Sequence, residues 1–249
     1  MVGFVEIHFH LLPGVDDGPQ TLEEAVWLAR TAASEGTRTI VATPHVNSVC
    51  ALDVSTLPER VRQVSERLRR ERVPIAVLGG GELAHDLVDR LSERQLERIA
   101  HGPRGHRWLL LEAPLTGLDE TFTAAADELR QRGFGIVVAH PERSLANVQA
   151  GWRSIEHEVQ VGSAMQVNAW SVAGLHGERA RIEALHILRV TRRVVISSDA
   201  HGPHRVPSLR LALDVLTRLG HKSPRGLVSA VPAGLLSNGL PGAAVELAA

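Results

Sequence analysis

The chain has 249 residues, 44% of them hydrophobic and 22% charged, with a formal net charge of −1. That length suits one β/α barrel with a sizeable core, and the charge balance excludes bulk attraction to nucleic acid or to an anionic membrane. A single cysteine, Cys50, excludes an intrachain disulfide, while 13 histidines are a surplus that first suggests metal. The N-terminal residues lack the basic region and long apolar stretch of a signal peptide, and no apolar run reaches the roughly 18–20 residues of a membrane span. The expectation is one cytoplasmic domain over 1–249, without membrane insertion; nothing specifies its oligomeric state.

Short apolar runs alternate with helical patterns. The first run, 2–7, leads into His8-Phe9-His10. Residues i and i+2 on a strand face the same side, so both imidazoles can reach one ion. An apolar turn follows and ends in the adjacent carboxylates of Asp16 and Asp17 before Gly18. Thr21-Leu-Glu-Glu24 then has the pattern of a capping box, with Leu22, Ala25, Val26, Ala29 and Ala33 at helical spacing and Gly36 as the stop. The run 39–43 ends in Thr43-Pro44-His45, and a helical pattern covers 57–72. The run 75–79 continues into Gly80-Gly81-Glu82, and the run 108–111 ends at Glu112. A helix over 119–132 precedes the run 135–139, which ends in His140-Pro141-Glu142-Arg143. Helical patterns over 146–160 and 179–191 enclose the run 165–167. The run 194–197 ends in Asp199-Ala200-His201, again at i and i+2, with Arg205 four residues on and a helix over 209–219. Pro, Gly and Ser are frequent from His221 on, and 222–249 is expected to be a closing segment without chemistry of its own.

Successive runs begin roughly 25–40 residues apart, the size of one βα unit. Their near-continuous apolar character suits parallel strands buried on both faces. Seven units predict an α/β fold built as a seven-stranded TIM-like barrel rather than an open sheet. In such a barrel the strand ends converge at one face, where the chemistry sits. The candidate ligands are His8, His10, Asp17, His45, Glu82, Glu112, His140, Asp199 and His201. Five imidazoles and four carboxylates are too many for one ion, which implies a multinuclear site. Arg143 and Arg205 fall on loops of the same face, and the guanidinium fork suits phosphate oxygens. Metal plus arginine points to phosphate-ester hydrolysis.

Singly, each motif has a plainer reading: HxH occurs by chance, paired acids beside glycine make turns, and a lone arginine serves a surface ion pair. Six strand ends carrying ligand-type residues in one chain are hard to explain that way. The other histidines (His85, His101, His106, His157, His176, His186, His204 and His221) read as ordinary core or surface residues. Cys50 is a poor phosphatase nucleophile, because the position where such a loop carries arginine is Thr56. No dinucleotide, Walker A or G-x-S-x-G pattern is present.

In order, His8-x-His10 with Leu-Pro-Gly-Val-Asp-Asp17-Gly18, Thr-Pro-His45, Gly-Glu82, Leu-Glu112, His140-Pro-Glu-Arg143 and Ser-Asp199-Ala-His201 resemble the PHP (polymerase and histidinol phosphatase) superfamily. Within it, the chain is most similar to the manganese-dependent bacterial protein-tyrosine phosphatases of capsule and exopolysaccharide synthesis. The likeness runs from about Val5 to about Leu216. It implies a distorted (β/α)7 barrel holding three divalent ions, manganese in the family, with iron, cobalt or zinc compatible. By that likeness His8, His10, Glu82 and Asp199 hold the first ion. Glu82 bridges to a second with Glu112 and His140, and Asp17, His45 and His201 hold the third. Arg143 and Arg205 match phosphate-contacting arginines. The implied partner is a phosphotyrosine protein, a bacterial tyrosine kinase with a phosphorylated tail, attacked by metal-activated water without a cysteine nucleophile. The chain has no tyrosine and is not its own substrate. Competing readings are a phosphatase for a small alkyl phosphate such as histidinol phosphate, an amidohydrolase with a modified lysine where Glu112 stands, and a non-catalytic metal-binding scaffold. Three departures stand out: Glu6 where the family has Asp, a less basic segment after His45, and Val231-Pro232 where Asn-Pro is common.

Overall fold

The computed structural model describes residues 3–50, 52–145 and 152–242. Its strands are β1 (Phe4–Glu6), β2 (Thr37–Ala42), β3 (His45–Val46), β4 (Ala76–Gly79), β5 (Glu82–Ala84), β6 (Trp108–Glu112), β7 (Gly135–Ala139), β8 (Ala164–Asn168) and β9 (Val194–Ser197). The α-helices are α1 (Leu22–Glu35), α2 (Leu57–Arg70), α3 (Glu93–Ile99), α4 (Glu120–Gln131), α5 (Arg153–Gln160), α6 (Ala169–Ala173), α7 (Glu178–Val190), α8 (Leu209–Arg218) and α9 (Ala230–Asn238).

Strand pairing is parallel in the orders β1-β2-β4 and β3-β5-β6-β7-β8-β9. The two sheets are one ladder with two interruptions. Thr43-Pro44 separates β2 from β3, where proline has no amide to give, and Gly80-Gly81 separates β4 from β5. Across the break the Gly80 amide donates to Ala42 at 2.9 Å and the Glu82 amide to Pro44 at 3.0 Å. At the far edge the Asp199 amide donates to the His8 carbonyl at 3.1 Å and the His10 amide to Ala200 at 3.0 Å. The continuations of β1 and β9 therefore meet, and seven strand positions follow one another in chain order. The glycine pair is forced by packing: a Cβ on Gly80 would lie 2.5 Å from His101 Nε2, and one on Gly81 2.8 Å from Val46 Cγ2.

Alternation along the strands sorts side chains into two clusters. Leu109, Leu111, Ile136, Val138, Val194 and Ile196 pack outward with helix residues such as Ala25, Leu28 and Phe122. Val5, Val41, Trp108, Leu110, Val137 and Val195 fill the space within the strands, joined from the C-terminal segment by Val231, Leu235 and Leu240. The tail is thus a plug: Trp108 Nε1 donates to the Leu235 carbonyl at 2.9 Å. Within the segment expected to close the domain, α9 is the α-helix among the described residues; 243–249 and 146–151 lie outside them.

The capping box at Thr21 and Glu24 is formed, and Gly36 ends α1 with φ 112°. The spacing gave no sign of α3 or α6, which at 7 and 5 residues are too short to show a helical period. The second strand is also longer than expected, beginning at Thr37 and resuming at His45.

Candidate metal centre

All nine candidate ligands converge at one face of the strands, His45 and Glu82 from the points where the ladder resumes after its two breaks. Glu82, the first residue of β5, is the hub. One of its carboxylate oxygens, Oε2, lies 3.2 Å from His8 Nε2, 3.3 Å from His10 Nε2 and 3.0 Å from His45 Nδ1. The other, Oε1, is 2.9 Å from His140 Nε2. Asp199 Oδ1 is 3.3 Å from His8 Nε2 and 3.5 Å from His10 Nε2. Asp17 Oδ1 lies 3.2 Å from His201 Nε2 and 3.4 Å from His45 Nε2. Glu112 joins Glu82 and His45 in a group whose donor atoms all lie within 4.8 Å of one another; His10, Asp17, His45 and His201 form another.

Proton bookkeeping shows that these atoms fit cations. His8 Nδ1 faces Gln166 Oε1 at 2.8 Å, and that oxygen also accepts the His140 amide at 3.1 Å, which fixes the amide's orientation. His10 Nδ1 faces the buried Asp16 Oδ2 at 2.7 Å, which also accepts the His45 amide at 3.1 Å. Both histidines therefore keep a proton on Nδ1 and turn their Nε2 atoms, 3.3 Å apart, toward the cluster. Glu82 Oε2 lies among three imidazoles but has no hydrogen-bond partner. Lone pairs aimed at shared points in a buried site repel unless a positive charge sits among them.

The electrostatics agree. Burial opposes charge on His8, but Glu82 and Asp199 outweigh it and raise its pKa to about 9. His45 is likewise pulled down by burial yet held up to about 11 by Asp17 and Glu82. Burial and the neighbouring Glu82 carboxylate push Glu112 up to about 7. Asp199 is disfavoured as an anion by burial, but His8 and Arg205 keep its carboxyl well below the usual range. The carboxylates demand positive charge, and protons and divalent cations compete to supply it.

Two of these residues are held in left-handed backbone: His140 at φ 36° and Asp199 at φ 51°. Such strain persists where surrounding structure imposes it, commonly at functional sites.

A match to the family described as capsular polysaccharide synthesis, CpsB/CapC, spans residues 4–237. The chain belongs to the CpsB/CapC family. It is 30% identical over 201 residues to the tyrosine-protein phosphatase YwqE of Bacillus subtilis, covering 80% of this chain and 77% of that one. It is 23% identical over 223 residues to the tyrosine-protein phosphatase CpsB of Streptococcus pneumoniae, covering 86% and 90%. Among solved structures, one described as crystal structures of YwqE from Bacillus subtilis and CpsB from Streptococcus pneumoniae, unique metal-dependent tyrosine phosphatases, superposes with a TM-score of 0.81. It has 28% identity and covers 95% of this chain and 96% of that one. A phosphotriesterase homology protein from Escherichia coli, at 15% identity and a TM-score of 0.53, covers 92% and 96% and shares the fold.

In this CpsB/CapC chain several site residues went unread in the sequence. Asp16 looked like half of a turn, yet it orients both His10 and His45. The sixth strand showed no ligand, but Gln166 and Asn168 stand at i and i+2 on buried β8, and Asn168 Nδ2 donates to Asp199 Oδ2 at 2.9 Å. Two amides alternating in a buried strand were the available signal. Glu142 is fully buried and accepts the Asn168 amide at 2.8 Å. Burial pushes its carboxyl up to about 7. Glu6, where the resemblance implied Asp, accepts the Ser198 amide at 2.8 Å and so fixes the backbone just before Asp199.

Arg143 and Arg205 reach the same oxygen, Asp199 Oδ2, at 3.5 and 3.1 Å. Both line a cavity of about 180 Å³ with Glu82, Glu112, His140 and Asp199. Among the described residues no helix is long and apolar enough to cross a membrane.

Proposed function

We propose that this chain is a metal-dependent phosphomonoesterase acting on phosphotyrosine in protein, in the setting of capsular or exopolysaccharide synthesis. The observation that carries the reading is Glu82, whose two carboxylate oxygens face four imidazole nitrogens at 2.9–3.3 Å beside two arginines. Three divalent ions, manganese first among them, suit the donor groups. His8, His10, Glu82 and Asp199 would hold one, Glu82, Glu112 and His140 a second, and Asp17, His45 and His201 a third. Bound there, such ions supply an acidified water and concentrated positive charge.

The chain's own residues do the rest. Arg143 and Arg205 are poised to take the phosphoryl oxygens, since each now touches a carboxylate oxygen in the cavity that a phosphate oxygen can replace. Gln166 and Asp16 keep the His8 and His10 protons on Nδ1. Cys50 is only partly buried, and burial raises rather than lowers its thiol pKa, so it is not an activated nucleophile. A phenol leaves with a pKa of ~10 and needs less protonation than an alkanol, which favours an aryl ester.

The test is turnover by manganese-loaded protein on a phosphotyrosine peptide, 4-nitrophenyl phosphate and histidinol phosphate, beside His10→Ala and Arg143→Ala. His10→Ala is expected to lose metal and activity. Arg143→Ala is expected to keep its metal and lose about 100-fold in kcat/KM, on the order of 3 kcal/mol of transition-state binding. Turnover surviving both changes, or preference for histidinol phosphate, would overturn the reading.

A further inference from the structure

Beside the metal cavity lies a larger groove, of about 770 Å³. Its inner end is formed by Asp17, His201 and Arg205, and its walls by Pro19, Trp27, Pro203 and His204. Asp17 and Arg205 also line the metal cavity, so the two spaces adjoin across these side chains. The smaller one has room for a phosphoryl group, whereas the larger falls in the range that holds whole organic ligands.

Trp27 is the second observation. The buried stripe of α1 is Ala25, Val26, Leu28, Ala29 and Ala32, and Trp27 lies off it with 44% of its surface exposed. It stands instead on the wall of the groove beside the site. An indole gives a large rigid contact surface at low entropy cost. Carboxylates of Asp17, Glu23 and Glu24 border the same groove together with Arg205, with Glu23 paired to Arg67 at 3.1 Å.

We propose that this groove is the subsite for the residue next to phosphotyrosine in the substrate chain, and that it takes an apolar side chain against Trp27. The inference rests on the phosphatase reading and narrows its substrate. The occupant is an extended peptide: its phosphate enters the cavity between Arg143 and Arg205, and its neighbouring residue continues past Asp17 into the groove.

The experiment compares 4-nitrophenyl phosphate, histidinol phosphate and two phosphotyrosine peptides that differ only in Leu or Asp flanking the modified residue. Manganese-loaded wild type, Trp27→Ala and Trp27→Phe are measured. Wild type is expected to favour the Leu peptide over the Asp peptide about tenfold in kcat/KM. In Trp27→Ala the ratio of Leu-peptide to 4-nitrophenyl phosphate turnover should drop about tenfold, with Trp27→Phe restoring most of it. If wild type cleaves 4-nitrophenyl phosphate but Trp27→Ala keeps both ratios, the groove assignment is wrong and the phosphatase reading stands. If Trp27→Ala instead impairs histidinol phosphate alone, the groove holds the body of a small alkyl ester and the assignment is also wrong. If wild type cleaves no phosphomonoester, both readings fall together.

Discussion

Asp16 and Asp17 are adjacent in sequence and have different work. The Asp17 side chain is 66% exposed and faces His45 and His201, whereas the Asp16 side chain is wholly buried against His10 Nδ1. Removing a carboxylate that orients a metal-binding histidine typically costs 10–100-fold in metal affinity. Asp16→Ala should therefore weaken manganese binding by about that factor, measured by competition with a chelator, while leaving all nine ligands in place. Unchanged affinity would mean that His10 finds its orientation without Asp16. The nine candidate ligands were legible because nearly every one follows an apolar run. Asp16, Gln166 and Asn168 were not, because a side chain that holds a ligand is indistinguishable in sequence from one that closes a turn or fills a strand.

Strand ends place the ligands, and loops place the arginines. Arg143 sits in the short 3-10 turn after β7, and that turn is tied down from α7: Arg179 donates to the carbonyl oxygens of Arg143 (3.1 Å) and Ser144, and to Glu183 at 2.8 Å. Arg179 is a positioning residue, since it grips the backbone of Arg143. Arg179→Met is expected to raise the inhibition constant of inorganic phosphate about tenfold and to lower Tm by no more than about 3 °C. Its effect on phosphate should vanish in the Arg143→Ala background. Additive losses in the double variant, with a large fall in Tm, would reduce Arg179 to a structural role. No sequence signal marked this residue: 36 positions separate it from Arg143, and only the fold brings them together. Strands and longer helices were readable from period and caps. The breaks at Thr43-Pro44 and Gly80-Gly81 were visible as residues, but their effect, aiming His45 and Glu82 inward, needed the ladder on both sides.

At the scale of the molecule, apolar layers and the plug from α9 support a polar layer that stability alone does not favour. Glu82, Asp199, His8 and His10 are buried together, and burying unpaired charge destabilises a fold. Bound cations would repair this, so the folded state should depend on them. Chelation is expected to lower Tm by about 5–10 °C, recovered on adding manganese, with little gain from magnesium, which prefers an oxygen shell. A Tm indifferent to metal would mean that protons alone satisfy the cluster. The metal centre depends on distant donors gathering around cations shared by Glu82. The most direct measurement is anomalous diffraction from manganese-soaked crystals at the metal's absorption edge. Peaks are expected on either side of the Glu82 carboxylate, one toward His8, His10 and Asp199 and one toward Glu112 and His140, with a third among Asp17, His45 and His201. A crystal that binds manganese elsewhere but shows no peak within coordination distance of Glu82, about 2–2.5 Å, would contradict that arrangement.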